Sequence, residues 1–350
     1  MEYAVILAGG KGERLWPLSR EKRPKQLINV YSGKTLIEET IDRLQPRIPL
    51  ERILIVCNRS LAQLMVEATS FLTMDNFIVE PQGRNSAPAI YLAAAYLSML
   101  DPNATMLIFP ADHYIAPVDQ FLATIDEAIQ LALHDSALVT IGIVPTYPET
   151  GFGYIIRREN GEVERFMEKP DFETASHYIE AGNAFWNSGM FIWKVDTLIS
   201  AVRQWQPMEH EIFQKLIALT PLELKSGQTE TVFSQFTATS IDYAIMEKAA
   251  NVRCVSARFD WNDVGCWLSL EKILKSDQTG NVIHGQGVCL ESEGNVVYAG
   301  DNRLIATVGL RDSVVVAVDN IVLVCPKDRS QEVKKILCEL HRHPEWIGFR

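Results

Sequence analysis

Ala4-Val-Ile-Leu-Ala-Gly9-Gly10-Lys11-Gly12-Glu13-Arg14-Leu15-Trp16-Pro17-Leu18-Ser19-Arg20 is the stretch on which the reading of this chain turns. It runs from a short apolar segment straight into a turn with glycine at positions 9, 10 and 12. Without Cβ atoms the backbone can bend tightly there and come close to a ligand. Successive N–H groups exposed in such a turn form a concavity that binds anions. Arg14, and Lys25 after the Arg23-Pro24 step, bring positive charge beside it. Two commoner phosphate loops are excluded. No G-x-x-x-x-G-K-[ST] string occurs, and Gly10-x-Gly12 is followed by Leu15 and Pro17 rather than by a third glycine in dinucleotide-binding spacing.

Working outward, apolar runs alternate with amphipathic ones. Tyr3–Ala8, Ile53–Cys57, Phe77–Glu80, Met106–Pro110 and Leu138–Val144 read as strands. Leu36–Leu44, Ser60–Leu72, Ala87–Leu100 and Phe121–Leu133 read as helices. That alternation predicts βαβ units and a mainly parallel sheet, with ligands beyond the carboxyl ends of its strands. The glycine turn and Asp112 both follow strands and fall at that edge. From about Gly280 the pattern changes to short β-rich runs: Gly287–Glu291, Asn295–Tyr298, Leu304–Val308, Val314–Val318 and Ile321–Cys325. These leave no room for helices, so residues 280–350 read as a separate β module closed by a helix over Ser330–His341, after a domain over residues 1–275.

The formal net charge is -11 and no Lys/Arg-rich block occurs, which argues against nucleic-acid and membrane-surface partners. The N-terminus lacks the basic flank of a signal peptide, and Ala87–Leu100 is too short to span a membrane. The six cysteines include no C-x-x-C pair; reduced thiols in a cytoplasmic protein are the expectation. The β module could serve as a contact in a homodimer.

Leu7 to Arg20, followed by Arg23-Pro-Lys-Gln26, resembles the signature of the nucleotide-sugar pyrophosphorylases. The Leu-Trp-Pro-Leu-Ser-Arg wording and the Pro-Lys-Gln ending resemble the branch that transfers a guanylyl group to mannose 1-phosphate. Similar strings follow in order: Glu80-Pro-Gln-Gly-Arg-Asn-Ser-Ala-Pro-Ala-Ile90, Phe109-Pro-Ala-Asp-His113, Gly151-Phe-Gly-Tyr-Ile155, Phe166-Met-Glu-Lys-Pro170, Trp186-Asn-Ser-Gly-Met-Phe191, Ser240-Ile-Asp-Tyr243 and Trp261-Asn-Asp-Val-Gly265. The resemblance is dense over residues 3–270 and implies a doubly wound α/β domain, Rossmann-like, with a short β-helix-like module after it. It also implies GTP and mannose 1-phosphate as substrates, and a monofunctional chain, since Arg350 leaves no space for a phosphomannose isomerase domain.

The implied nucleophile is a sugar phosphate, already anionic, so no general base is required and catalysis reduces to alignment and charge neutralisation. Arg14 and Lys25 are the candidates for holding the triphosphate and the departing pyrophosphate. Leu7, Gly9, Gly10 and Gly12 are expected at the nucleotide, with Asp112. Asp112 and Asp263 resemble the family's paired metal ligands, and Mg2+ (or Mn2+) suits them; Asp260 is the rival for the second position. His113 reads as a structural neighbour rather than a ligand. Gly83, Arg84 and Asn85 are the candidates for base selection, with a helix N-terminus at Asn85 as the plainer reading; the two need not exclude one another. Gly153, Glu168, Lys169 and Asn187 are the expected sugar-phosphate contacts, although an adjacent Glu-Lys is often only a solvated pair. A sister enzyme using another sugar or nucleotide, such as a GDP-heptose enzyme, and a silent nucleotide-sugar-binding protein remain the alternatives.

Overall fold

The computed structural model describes residues 1–10, 12–226 and 229–350; Lys11 of the glycine turn lies outside the described residues. The chain divides into two compact units that interleave in sequence. Met1–Gly9, Ile41–Ala111 and Ile115–Asp260 form the first, and Gly10–Thr40, Asp112–Tyr114 and Trp261–Arg350 the second. Sequence reading instead places the division near residue 275, as one contiguous break.

The first unit is built on one mixed sheet. Its strands lie in the order Val252–Ser256, Leu138–Ile143, Ala184–Lys194, Thr105–Pro110, Glu2–Leu7, Ile53–Cys57, Phe77–Val79. The expected strands are all present. Glu2–Leu7 is parallel to Ile53–Cys57 and to Thr105–Pro110, and Val252–Ser256 is parallel to Leu138–Ile143. The eleven-residue strand Ala184–Lys194 runs against both its neighbours and also receives the hairpin strand Tyr154–Arg157. Nearly every side chain of Ile53–Cys57, Thr105–Pro110 and Leu138–Ile143 is buried, as strands covered on both faces require.

The helix Ser86–Leu100 is apolar all round and correspondingly buried from Ala87 to Leu97. The helix expected to reach Leu72 ends at Ala68, where Thr69 turns extended and its hydroxyl donates to the Met65 carbonyl at 2.8 Å. Gly142 has no tolerance for a side chain, since a Cβ would fall 2.6 Å from Cys254 Sγ.

In the second unit the short strands stack as a β-helix-like module. Val282–His284, Val296–Ala299 and Ser313–Val318 form one parallel layer, closed by antiparallel Ile321–Pro326. Gln286–Leu290 and Leu304–Val308 form the other layer. The Gly10–Thr40 segment belongs here because Leu15, Trp16, Leu18, Ile28 and Val30 share one core with Trp267, Val282, Val296 and Val314. The Trp267 indole N–H donates to the Trp16 carbonyl at 3.0 Å, and that of Trp16 to the Phe349 carbonyl at 2.7 Å.

Two buried asparagines fix the module's corners. Asn281 Oδ1 accepts from the backbone N–H and the side-chain amide of Asn295, at 3.0 and 2.9 Å. Asn295 in turn accepts from the Ser313 N–H at 3.0 Å and donates to the Leu310 carbonyl at 2.9 Å. Each rung is thereby tied to the next. Asn295→Ala strands these backbone groups in a dry corner and is expected to destabilise the chain by about 2–4 kcal/mol. Denaturant unfolding checks this, and a loss below about 0.5 kcal/mol would contradict it.

Candidate active site

The charged cluster of the second unit centres on Lys25. Lys25 starts a short 3-10 turn after Pro24 and is 9% exposed. Its ammonium lies 2.7 Å from Asp112 Oδ2 and donates to the Asp263 carbonyl at 2.8 Å. Gly12, at φ 66°, makes room for it: a Cβ there would stand 2.6 Å from Lys25 Cβ and 2.8 Å from Ser19 Oγ. Gln26 donates from Nε2 to the Gly10 carbonyl at 3.3 Å, tying the glycine turn to the same segment.

Asp263 sits in a strained turn. Val264 is held at φ 48°, a conformation a β-branched residue rarely adopts, and is fully buried. Asn262 Oδ1 accepts from the Val264 N–H at 2.7 Å, and Asp263 Oδ1 from the Gly265 N–H at 3.2 Å. A side chain at Gly265 would collide with Asp263 Oδ2 at 2.5 Å. These constraints aim the Asp263 carbonyl at Lys25. His113 accepts from the Trp261 indole at 3.1 Å and packs edge-on against it, the structural role expected of it. Arg14 is exposed, its guanidinium bonded to Gln331 at 3.1 Å. Asp260 is exposed and belongs to the first unit.

In the first unit Leu7 ends its strand opposite Pro110, and a Cβ added at Gly9, two residues on, would meet nothing within 4 Å. Gly83 is exposed with open space where a side chain would go. Its two neighbours are engaged. Arg84 donates to the Phe236 carbonyl at 2.6 Å, and Asn85 caps the helix Ser86–Leu100 by accepting from the Ser86 N–H at 2.8 Å. Asn85 thus starts the helix, a role compatible with a contact to the base.

Three of the four expected sugar-phosphate residues come together tightly. A Cβ on Gly153 would stand 2.5 Å from Glu168 Oε2 and 3.4 Å from Asn187 Cβ, and the Asn187 N–H donates to the Gly153 carbonyl at 2.8 Å. Lys169 is exposed, at φ 47°, with its ammonium 3.1 Å from Glu168 Oε1. The Asn187 amide makes three hydrogen bonds. It donates to Asp242 Oδ1 at 2.9 Å and accepts from Thr140 Oγ1 and the Gly189 N–H, both at 3.2 Å.

Asp242 is a residue that motif reading passed over, though it lies inside the Ser240–Tyr243 string. Burial, then the nearby charge of Glu168, push its carboxyl up to about 6 from an ordinary 3.8. The folded state therefore holds this proton more tightly than the unfolded chain. The resulting stability is present below pH ~4 and lost as pH rises through ~6. Between pH 5 and 7 the native chain should lose about 1 kcal/mol more stability than Asp242→Asn. Unfolding midpoints across that range check this; parallel pH profiles would contradict it.

Comparison with known proteins places this geometry. Residues 3–280 match the family described as Nucleotidyl transferase, and residues 285–340 the MannoseP isomerase/GMP-like beta-helix domain. The chain is 37% identical to a mannose-1-phosphate guanylyltransferase of Escherichia coli, over 96% of this chain and 75% of that one. It is 38% identical to one of Salmonella muenchen, over 95% of this chain and 72% of that one. A solved structure from Thermus thermophilus, described as mannose-1-phosphate geranyltransferase, is 36% identical and superposes with a TM-score of 0.88, covering 97% of this chain and 99% of that one. The chain belongs to the nucleotidyl transferase family, in its mannose-1-phosphate guanylyltransferase group.

Proposed function

We propose that the chain joins mannose 1-phosphate to the α-phosphorus of GTP, forming GDP-mannose and pyrophosphate. The observation that carries this reading is the Lys25 ammonium, nearly buried yet held between Asp112 and Asp263 beside a glycine turn. In the transfer, an oxygen of the sugar phosphate bonds to the α-phosphorus while the bond to the bridging pyrophosphate oxygen breaks. The attacking oxygen is already anionic, so no side chain needs to take a proton. What remains is to align two polyanions and to neutralise the leaving charge.

Lys25 is assigned to the triphosphate, and the N–H groups of Gly9, Gly10 and Gly12 to its oxygens. Arg14 is assigned to the departing pyrophosphate; its bond to Gln331 is one that a phosphate would displace. Asp112 and Asp263 are the residues that would hold Mg2+ or Mn2+. Their fit rests on donor chemistry: both are carboxylates, and both residues stand beside the Lys25 ammonium, Asp112 through its carboxylate and Asp263 through its main-chain carbonyl. Bound, the ion supplies further neutralisation of phosphate charge. Glu168 accepts from sugar hydroxyls and Lys169 pairs with the sugar phosphate, while Asn187, locked by Asp242 and Thr140, shapes the wall behind Gly153. The open Gly83 backbone contributes to holding the base. All six cysteines are free thiols, consistent with the cytoplasm as the compartment.

Pyrophosphate release from GTP, ATP, UTP or dTTP with a panel of sugar 1-phosphates and magnesium tests the reading. Turnover is expected with GTP and mannose 1-phosphate, and its absence would defeat the claim. Asp112→Ala and Asp263→Ala should each lower kcat by roughly 10²–10³-fold or more in a chain that still folds, and Asp112→Ala, which strips the nearly buried Lys25 ammonium of its carboxylate, should also lower the unfolding midpoint. If Asp260→Ala abolished turnover while Asp263→Ala did not, the second metal position would belong to Asp260.

A further inference from the structure

The amino edge of the first unit's sheet carries a cleft that the transfer reaction does not use. It opens where Leu138–Ile143 and Val252–Ser256 begin and Ala184–Lys194 ends, with a volume of about 420 Å³. That size falls within the range of small-molecule sites. The expected sugar residue Asn187 lies seven positions before Lys194 on the same strand, roughly 20 Å away along it. The cleft is therefore separate from the Gly153, Glu168 and Asn187 cluster.

One wall is a face of the helix Val195–Trp205. Asp196, Ser200 and Gln204 recur on it at four-residue spacing, and Trp205 closes the row. The other wall is a locked turn. Ser136 stands at φ 47°, in the left-handed region, and its carbonyl accepts from Asn251 Nδ2 at 2.9 Å. The Asn251 carbonyl in turn accepts from the Leu138 N–H at 3.1 Å. Backbone strain that the surroundings over-determine in this way clusters at ligand clamps.

The polar groups facing these walls are largely unspent. Trp205 is half-buried, yet its indole N–H meets no acceptor among the described residues. Indoles in such positions usually find one. Among the described residues the Ser200 hydroxyl and the Gln204 amide also make no hydrogen bond. Asp196 engages one oxygen, which accepts from the Thr197 N–H at 2.7 Å, and leaves the other free. No lysine or arginine is among the described residues that line the cleft, so Asp196 supplies its charge.

We propose that this cleft is a second binding site, for a neutral, hydroxyl-rich molecule of the sugar or polyol class. The Trp205 ring offers an apolar surface to C–H groups, while its N–H donates to a ligand oxygen. The Asp196 carboxylate accepts from hydroxyls, and Ser200 and Gln204 both donate and accept. A phosphorylated ligand would set its anion against Asp196 with no cation to pair it. The chemistry of the walls thus separates this ligand from the triphosphate and the sugar phosphate of the transfer reaction.

Ligand-observed NMR titration of the full chain with D-mannose, D-glucose, maltose and myo-inositol tests this. At least one of the four should bind with a Kd of about 1 mM or tighter. Ser200→Arg drives a long side chain into the cleft from an exposed position and should weaken that binding by roughly tenfold or more. Gln204→Ala, which removes one hydrogen-bonding group, should weaken it by roughly threefold to tenfold. Glu168→Gln, at the expected sugar-phosphate cluster, should leave it unchanged. Ser200→Arg should in turn leave turnover of GTP and mannose 1-phosphate at the wild-type level. No binding of any of the four at about 10 mM overturns the proposal. So does binding that survives both Ser200→Arg and Gln204→Ala. Binding lost in Glu168→Gln, or turnover lost in Ser200→Arg, overturns the separateness of the site and with it the proposal.

Discussion

Lys25 carries its charge into a position that is 9% exposed, and an ammonium so far removed from water needs oxygens around it. Asp112 and the Asp263 carbonyl supply them. Much of the local architecture follows from that need. Gly12 must lack a Cβ because Lys25 passes beside it, and Val264 is forced into a left-handed conformation so that the residue before it turns its carbonyl inward. Backbone strain of this kind, of the order of 1–3 kcal/mol, persists where the surrounding packing over-determines it, and Val264 is fully buried. In a chain with a net charge of -11, this is how positive charge is kept where a polyanion can be met.

Packing holds that charge in place. The Leu15-Trp16-Pro17-Leu18 wording of the opening signature is not itself chemical: Leu15, Trp16 and Leu18 are core residues of the second unit, shared with Trp267 and the stacked valines of the β module. The signature thus couples the glycine turn to a rigid scaffold, which is what a preorganised charge site requires. In the first unit the same logic applies to neutral groups. Asn187 is held by Asp242, Thr140 and Gly189, so that Gly153 and Glu168 meet across a gap too small for one more carbon.

Much of this was legible in the sequence. Hydrophobic periodicity located the flanking strands, and ordered motifs brought Lys25, Asp112 and Asp263 to attention together. What escaped has physical reasons. Ala184–Lys194 was not among the strands read: Asn187, Ser188 and Gly189 interrupt its apolar run, and because it is covered on both faces it shows no alternation. The interleaving of the two units was invisible because Leu15 and Val296 are close only in the folded core. Arg84 and Asn187, read as ligand contacts, also carry structural bonds, to the Phe236 carbonyl and to Asp242. Asp242 was passed over because its significance lies in desolvation, a property of the folded environment that residue type alone does not carry.

On this reading the chain brings two phosphates together without an enzyme nucleophile, through charge and alignment alone. The stereochemical course at the α-phosphorus tests that most directly, followed with a single diastereomer of GTP carrying sulfur in place of one α-oxygen. A single in-line displacement predicts inversion of configuration in the GDP-mannose product. Retention would mean two displacements through a covalent nucleotidyl-enzyme, and would contradict it.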